Sequence, residues 1–493
     1  MNKSQNQTTN SQPSLLVSLV PVLFLILMLV INVLVFKDDA SYGPNQLALL
    51  LAGMLTLGMG SFLLQIPYPK MEKAIVHSIS LATQACLILL VVGSLIAVWI
   101  LSGIVPTMIY YGLLIINPDY FLPVACISCA LVALSTGSSW STSGTVGIAL
   151  IGIGQTLGIP MGMTAGAIIS GAYFGDKMSP LSDTTNLAPA MAGTDLITHI
   201  KHMIYTSGPA IVIAIILFFL IGLGFSAQDS DPAKINQVLE LITKQFNVGL
   251  HLFFVPVIVL ICVAKKMPAF PAMVLGVLLG ILASLIFQQP LLTKLAGEST
   301  DISAVYSQIV SIAHGGFSYD SGNAAIDKLF NRGGMSGMLT TVWLILMAMV
   351  FGGALEATGM LQKIASSILS LVQGTASLIG SVIATCLVMN MTASDQYLAI
   401  VVPGRMFRQS FDDFDLDPKN LSRALEDSGT VTSVLVPWNS GGAYHSKVFG
   451  VETLDYLPYC FFNILSPVIS LFLATMNWTI VKRVREANTE LGS

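Results

Sequence analysis

Two stretches of this sequence place carboxylates, hydroxyls and prolines in otherwise apolar surroundings. The first is "GAYFGDKMSPLSDTTNLAP" at 171–189, which contains Asp176, Lys177 and Asp183. The second is "EDSGTVTSVLVPWNSGGAYHSK" at 426–447. Glycine and proline break helices, and the carbonyls freed at a break join side-chain oxygens as ligands. Hard oxygen donors with one or two carboxylates suit a small hard cation, and a carboxylate also binds a proton.

Each stretch follows a hydroxyl-rich run that lies between apolar segments. These runs are "LSTGSSWSTSGTVG" at 134–147 and "MNMTASDQY" at 389–397. They predict helical hairpins with tips near 136–143 and 392–396. Lys177 is predicted to tune the charge of the site. The predicted cation- and proton-binding residues are the acids and neighbouring oxygen donors Asp183, Asp176, Asp395, Ser182, Thr184, Thr185, Asn186, Ser138, Ser139, Thr392, Ser394, Asn439 and Ser440.

A charge at the middle of a membrane costs about 2.5–3.5 kcal/mol on insertion scales, so each such acid is a functional hypothesis. Asp183 is the favoured one, because hydroxyl and amide side chains rather than bases adjoin it. Asp176 has a structural alternative as the partner of Lys177. Adjacent side chains on a helix point about 100° apart, so Asp427 and Asp395 are further candidate partners of Lys177.

The composition is that of a polytopic membrane protein. Of 493 residues, 54% are hydrophobic and 10% are charged, whereas ordinary soluble domains carry about 25% charged residues. The first apolar run, 15–36, is long enough to cross a bilayer and too long for a signal-peptide core. Basic residues near the span ends predict that both termini are cytoplasmic. The net charge of -4, without a basic cluster, indicates no nucleic-acid partner.

The order of these features predicts two membrane halves. The two halves match weakly at offsets of 256 and 257 residues, where Pro180 falls on Pro437 and Gly193 on Gly450. Broken helices at corresponding positions of two halves are typical of secondary transporters. Glu426 is expected near the start of a helix just inside the interface. The predicted segments are a disordered leader (1–14), a first half (15–227) with a broken helix near 171–189, a linking region with two membrane spans and loops (228–337), a second half (338–481) with a broken helix near 428–447, and a cytoplasmic tail (482–493).

The stretch 171–189 closely resembles the signature of NhaC-type Na⁺/H⁺ antiporters, within the ion transporter superfamily. The stretches at 331–361 and 435–446, "NRGGMSGMLTTVWLILMAMVFGGALEATGML" and "LVPWNSGGAYHS", also resemble that family. The resemblance implies an all-α polytopic membrane fold of two inverted repeats, each with a re-entrant hairpin and a broken helix. It further implies a scaffold, a mobile transport domain and a homodimer in the bilayer. Because some relatives exchange malate for lactate with Na⁺, or carry amino acids, the resemblance leaves the substrate open.

Na⁺/H⁺ exchange across the inner (cytoplasmic) membrane is the first functional hypothesis. A carboxylate whose pKa lies near the working pH cannot hold a proton and Na⁺ together, so the two ions compete. The alternative is Na⁺-coupled exchange of a small organic anion or an amino acid, held at helix N-termini. An organic dianion needs fixed cations, and the near candidates are only Lys177, His445 and Lys447. The sequence has no nucleotide, nucleophile or metal motif, so neither an enzyme nor a cofactor is expected, and Na⁺ and H⁺ are the transported ions.

Overall fold

The computed structural model of this chain is built from helices, which confirms the predicted class of an all-α polytopic membrane protein. Most of the predicted leader (1–14) and of the predicted tail (482–493) lies outside the described residues. The residues that the structure describes are 13–36, 39–40, 42–115, 117–224, 232–299, 301–320, 322, 327 and 329–483.

The helices belong to two similar halves and to a set of long helices around them. Two π-helical segments, Ser143–Gly147 and Glu426–Thr430, continue the α-helices that precede them. The α-helices, in chain order, are Leu15–Phe36, Pro44–Phe62, Tyr68–Leu101, Ile104–Ile115, Pro118–Thr136, Ser139–Thr142, Ile148–Thr156, Met161–Met178, Asp183–Ala192, Leu196–Gly222, Pro232–Gln245, Phe254–Ala264, Ala269–Phe287, Gln289–Leu295, Ile302–Gly315, Leu339–Ala357, Met360–Leu369, Thr375–Thr392, Gln396–Asp413, Pro418–Leu425, Ser440–Phe449, Thr453–Tyr456 and Phe461–Thr475.

Eight helices within the described ranges are long and apolar enough to cross a membrane, or up to ten if two bent helix pairs each form one span. The longest is Tyr68–Leu101, with 34 residues, and it packs against Leu339–Ala357 and Ala269–Phe287. In the region predicted to link the halves, Ala269–Phe287 has the length of a span, whereas Phe254–Ala264 has only 11 residues. The prediction of two full spans there stays a prediction.

The first hairpin consists of Pro118–Thr136 and the continuous helix of residues 139–156. Its turn is short, because Gly137 adopts a left-handed φ of 67° and Ser138 caps the next helix. The Ser138 side chain accepts a hydrogen bond from Ser141 N at 3.1 Å. Residues 139–143 of the predicted tip are therefore already helical.

The first broken helix runs as Met161–Met178, stops, and resumes as Asp183–Ala192. The second hairpin consists of Thr375–Thr392 and Gln396–Asp413, with its turn between them. The second broken helix occupies residues 418–435, is interrupted at 436–439, and resumes as Ser440–Phe449. Both interruptions lie within the stretches where proline and glycine predicted them.

The two halves share their helix boundaries at a constant spacing of 257 residues. Helices of the first half start at residues 118, 139, 161 and 183, and those of the second half start at 375, 396, 418 and 440. Helical segments of the first half end at 156, 178 and 192, and those of the second half end at 413, 435 and 449. The capping residues keep the same spacing, with Ser138 and Asp395 as one pair of N-caps and Ser182 and Asn439 as the other. This correspondence is much clearer than the weak sequence match.

The two broken helices run antiparallel where they pack together. Tyr173 Oη lies 3.4 Å from Ser433 Oγ, and one turn later Lys177 contacts Asp427. Residue numbers rise along one helix while they fall along the other. The two broken helices therefore run in opposite directions where they meet.

The close packing of the first broken helix on the first hairpin generates a prediction. A Cβ atom on Gly171 would overlap the carbonyl oxygen of Cys126. We expect Gly171→Ala to destabilise the protein by about 1–3 kcal/mol, as overpacking does in cores. The matched control is Gly58→Ala, because a Cβ there meets no atom within 4 Å. Thermal unfolding of both variants in detergent checks this, and equal melting temperatures would contradict it.

Candidate cation site

A cavity of about 590 Å³ lies where the two hairpin turns and the two helix breaks meet. The polar residues that line it from the hairpin and broken helix of the first half are Thr136, Ser138, Asp176, Ser182, Asp183, Thr184 and Asn186, and those from the second half are Asp395, Gln396, Tyr397 and Ser440. Leu81, Gln84 and Ile88 of Tyr68–Leu101 close it on another side. Residues of both predicted hairpin tips and of both predicted broken helices thus line one cavity.

Asp176 is buried near the end of Met161–Met178, where it faces the turn of the first hairpin. Its Oδ2 atom accepts hydrogen bonds from Ser139 N at 2.9 Å and Ser139 Oγ at 2.7 Å. Ser139 is the first residue of its helix, so the carboxylate lies at the positive end of the helix dipole. This contact fixes the orientation of Asp176 at the cavity wall.

Asp395 is the corresponding acid of the second half, although a different element supplies it. It is 2% exposed and caps the helix Gln396–Asp413, where its Oδ1 accepts from Tyr397 N at 2.9 Å and Leu398 N at 3.1 Å. In the repeat, Asp395 corresponds to Ser138. Each half therefore brings one buried carboxylate to a helix N-terminus at the cavity.

The position equivalent to Asp176 in the second half is Ser433, which donates to Gln396 Oε1 at 3.3 Å. Ser139 and Gln396 are also equivalent, so the same contact between hairpin and broken helix occurs twice. It is made by an acid in one half and by neutral groups in the other. The two halves share geometry and differ in where they carry charge.

Asp183 lines the cavity from the first residue of Asp183–Ala192, and its side chain is exposed. Ser182 caps this helix and accepts a hydrogen bond from Thr185 N at 3.4 Å. Lys266 also lines the cavity, and it carries the only positive charge among the lining residues that the structure describes. The lining thus has three aspartates and one lysine.

Several predicted oxygen donors serve the backbone instead of the cavity. Thr185 Oγ1 donates to Lys177 O at 3.0 Å, Thr392 Oγ1 to Val388 O at 2.6 Å, and Asn439 Nδ2 to Asn390 O at 3.0 Å. Thr185, Thr392 and Asn439 do not line the cavity. Asn186 lines it, but its amide also donates to Ser182 O at 2.7 Å.

Ser139, Ser394 and Ser440 lie close to the two turns. Ser139 is engaged with Asp176, as described above. Ser394 adopts a left-handed φ of 58° in the second turn, and its carbonyl accepts from Ser440 N at 3.0 Å. The hydroxyl of Ser394 is buried without a hydrogen-bond partner among the described residues. The second turn and the second break are therefore joined directly.

Lys177 points away from Asp176 and is fully buried. Its ammonium group forms an ion pair with Asp427 and donates to Ser466 Oγ at 3.0 Å. Asp427 also accepts from Thr206 Oγ1 at 2.9 Å. Of the candidate partners that the sequence left open, the structure selects Asp427, so Lys177 joins the two broken helices and does not line the cavity.

Sequence reasoning missed several residues of the lining, among them Lys266, Gln396, Tyr397 and Trp140, and misplaced Glu426. Gln396 and Tyr397 follow the capping Asp395, and Trp140 follows Ser139, so each lies in the first turn of a hairpin helix. Their position directly after the predicted turns is the signal that could have identified them. Glu426 does not begin a helix near the interface; it lies within the second broken helix and is fully buried.

Comparisons with known proteins show which kind of protein this chain resembles. The pattern described as the Na⁺/H⁺ antiporter family matches residues 171–478, which include the breaks of both broken helices. The Na⁺/H⁺ antiporter NhaC of Alkalihalophilus pseudofirmus is 36% identical over 425 residues, 86% of this chain and 89% of that protein. The malate-2H⁺/Na⁺-lactate antiporter of Bacillus subtilis is 36% identical over 451 residues, 92% of each chain. The arginine/ornithine antiporter ArcD of Halobacterium salinarum is 33% identical over 484 residues, 97% of this chain and 95% of that protein.

The buried ion pair generates the next prediction. Lys177→Met leaves Asp427 buried without its cation, and we expect a loss of about 3–5 kcal/mol of stability. Adding Asp427→Asn removes the uncompensated charge and should restore most of that loss. Lys419→Met is the control, since its pair with Asp417 is partly exposed and is worth about 0–1 kcal/mol. Thermal unfolding of the four proteins measures this, and a Lys177→Met variant as stable as the control would contradict it.

Proposed function

Because the chain belongs to the Na⁺/H⁺ antiporter family, we propose that it exchanges Na⁺ for H⁺ across the cell membrane by alternating access. The observation that carries the proposal is the cavity lined by Asp176, Asp183 and Asp395, with Lys266 as the cation among its described lining residues. Oxygen donors with an excess of negative charge bind small cations, and the same carboxylates bind protons.

The proposed exchange follows from competition at these carboxylates. Like charges that share a cavity repel one another, and a bound proton or a bound Na⁺ relieves that repulsion. The three aspartates then titrate as a group, and a Na⁺ that enters displaces protons from it. A neutralised group crosses the membrane at a lower cost than a charged one. Protons and Na⁺ are therefore carried in opposite directions.

The proposed ligands of Na⁺ are the predicted residues that reach the cavity. Asp183 is the proposed coupling acid, because it is the most accessible of the three and Ser182, Thr184 and Asn186 adjoin it. Asp176 and Asp395 are each oriented by backbone N–H groups at a helix N-terminus. In this proposal all three belong to the titrating group, and Asp183 is the member at which Na⁺ and the proton exchange.

Exchange of an organic dianion is the weaker alternative. The malate/lactate antiporter among the relatives makes it a candidate. A dianion in this cavity would face three aspartates and one lysine. Lys177 is engaged with Asp427, and Lys447 lines a different cavity, so neither of these two predicted cations is present to compensate. The charge of the lining therefore favours cations.

The proposed architecture is a pair of inverted repeats, each with a re-entrant hairpin and a broken helix. The 257-residue spacing of the helix boundaries and the antiparallel packing of the broken helices support it. We further propose that the hairpins and broken helices form a mobile transport domain, that the long helices around them form a scaffold, and that two copies form a homodimer. Crosslinking of purified protein in lipid tests the dimer.

Removal of the charge of Asp183 tests the proposed coupling acid. Asp183→Asn keeps the size of the side chain, and since the residue is exposed, the fold should lose less than about 0.5 kcal/mol. We expect Na⁺-driven proton movement to be abolished in proteoliposomes with a pH dye inside. Asp413→Asn is the control, because Asp413 is exposed and lies outside the cavity. Normal exchange by Asp183→Asn would transfer the role to Asp176 or Asp395.

The pH dependence of Na⁺ affinity tests the competition itself. If one proton competes with each Na⁺, the apparent KM for Na⁺ should rise about tenfold for each unit by which the pH falls below the pKa of the group. The same proteoliposomes, supplied in turn with K⁺, malate, lactate and amino acids, test the cargo. A KM for Na⁺ that does not change with pH, or proton movement driven by malate alone, would contradict Na⁺/H⁺ exchange.

A further inference from the structure

A fourth acid lies close to the cavity but does not line it. Glu426 is the first residue of the π-helical segment Glu426–Thr430 and is fully buried. Its Oε1 atom accepts a hydrogen bond from Thr184 Oγ1 at 3.1 Å. Its Oε2 atom is buried and has no hydrogen-bond partner within the described part of the chain. The Oε1 atom of Glu426 is thus linked to a residue of the cavity wall.

The charges around Glu426 leave it without a cation of its own. Among the described residues, the one ion pair of this cluster joins Lys177 to Asp427, and Arg423 donates to Thr479 Oγ1 at 2.9 Å. The titratable or charged groups that face Glu426 and Asp427 from the surrounding elements are Asp176, Lys177, His199, His202, Cys386 and Arg423. A buried carboxylate with an unpartnered oxygen is costly, whereas its protonated form is neutral.

A short chain of hydroxyls connects Glu426 with the cavity. Thr184 Oγ1 contacts Glu426 Oε1, and it lies 3.2 Å from Ser182 Oγ. Ser182 and Thr184 both line the cavity. A hydroxyl donates one hydrogen bond while it accepts another, so these two groups can pass a proton along without a net change of their own.

We propose that Glu426 is a proton site separate from the cation site, holding a proton when the cavity is free of Na⁺ and releasing it when Na⁺ binds. This inference rests on the proposed function. When Glu426 carries its proton on Oε1, it donates to Thr184 Oγ1, the reverse of the hydrogen bond that the ionised carboxylate accepts. The carboxyl group gives this proton to Thr184 Oγ1, Thr184 passes its own proton to Ser182 Oγ, and Ser182 passes its own to water in the cavity. The products are the Glu426 carboxylate, two intact hydroxyls and a hydronium ion. A Na⁺ in the cavity adds positive charge on the other side of Thr184 and so favours the ionised carboxylate.

Infrared spectroscopy and proton counting on the full-length protein test the proposal. Glu426→Gln has the size of the protonated acid and still accepts a hydrogen bond from Thr184. We expect wild-type protein without Na⁺ to show a protonated-carboxyl band to which Glu426 contributes a component that Na⁺ removes, and Glu426→Gln to lack this component while the component from the aspartates remains. In weakly buffered detergent solution with a pH dye, Glu426→Gln should release one proton fewer per Na⁺ bound than the wild-type protein does. The variant should still bind Na⁺.

Glu356→Gln is the matched control, because it makes the same chemical change outside the cavity and outside this cluster. It should retain both the band and the proton count. Thr184→Val should slow the Na⁺-induced loss of the band, since it removes the first hydroxyl of the chain. If Glu426→Gln does not fold, carbon-13 labelling of glutamate in the wild-type protein must shift the Glu426 component of the band, because the component from the aspartates would not move.

An unchanged band or an unchanged proton count in Glu426→Gln overturns the proposal. So does a wild-type band that carbon-13 glutamate leaves in place. A wild-type protein that neither binds Na⁺ nor releases protons contradicts the proposed function and with it the coupling to Na⁺. In that case the band without Na⁺ still decides whether Glu426 is protonated.

Discussion

The ion pair between Lys177 and Asp427 is the contact on which the centre of this protein depends. It joins the two broken helices at a point where both side chains are fully buried. Desolvation of two charges is costly, and only their close contact and additional hydrogen bonds offset it. Thr206 and Ser466 supply such bonds to Asp427. Because removal of either charge leaves the other uncompensated, the pair fixes how the two breaks face each other, and hence the shape of the cavity between them.

The same need for internal partners explains how helices can end inside a membrane protein. Each break and each turn exposes N–H groups that no lipid can satisfy. The four helices that begin there are capped by Ser138, Ser182, Asp395 and Asn439. Ser138 and Asp395 are 257 residues apart, and so are Ser182 and Asn439. Helix N-termini that converge on one cavity would favour an anion. Asp176 and Asp395 occupy two of them with carboxylates, so the cavity attracts cations instead. In the proposed function, the carboxylates at these two helix N-termini therefore favour a cationic cargo.

The sequence predicted the breaks well, because proline and glycine act locally. It predicted the first turn as too long, because the hydroxyl-rich residues after Ser138 are helical: Thr142 Oγ1 donates to Ser138 O at 2.9 Å and Thr145 Oγ1 to Ser141 O at 2.7 Å. Hydroxyls that bond to the preceding helical turn look, in sequence, the same as hydroxyls that face a ligand. The pairing of Lys177 with Asp427 spans 250 residues, and no local pattern reveals which of several acids a lysine meets. The acids could be identified from type and context, whereas their contacts required the fold.

Coupled exchange also requires that ions do not pass freely from one side to the other. A second cavity of about 910 Å³ lies at the far end of Ser440–Phe449, where Ala443 and Lys447 line it, while Ser440 lines the cavity of the aspartates. Trp140 lines the cavity of the aspartates. Its ring stacks on that of Tyr444 at 4.2 Å, and Tyr444 Oη donates to Trp140 O at 2.7 Å. His445 lies against the same ring of Tyr444 and bonds to Ser143. This aromatic layer ties the first hairpin to the second broken helix, and in the proposed function it is the barrier that keeps ions from passing between the two cavities. Movement of the hairpins and broken helices as one body would keep the layer intact while it changes which side the aspartates face, and an exchanger needs that combination of a closed barrier and a mobile site.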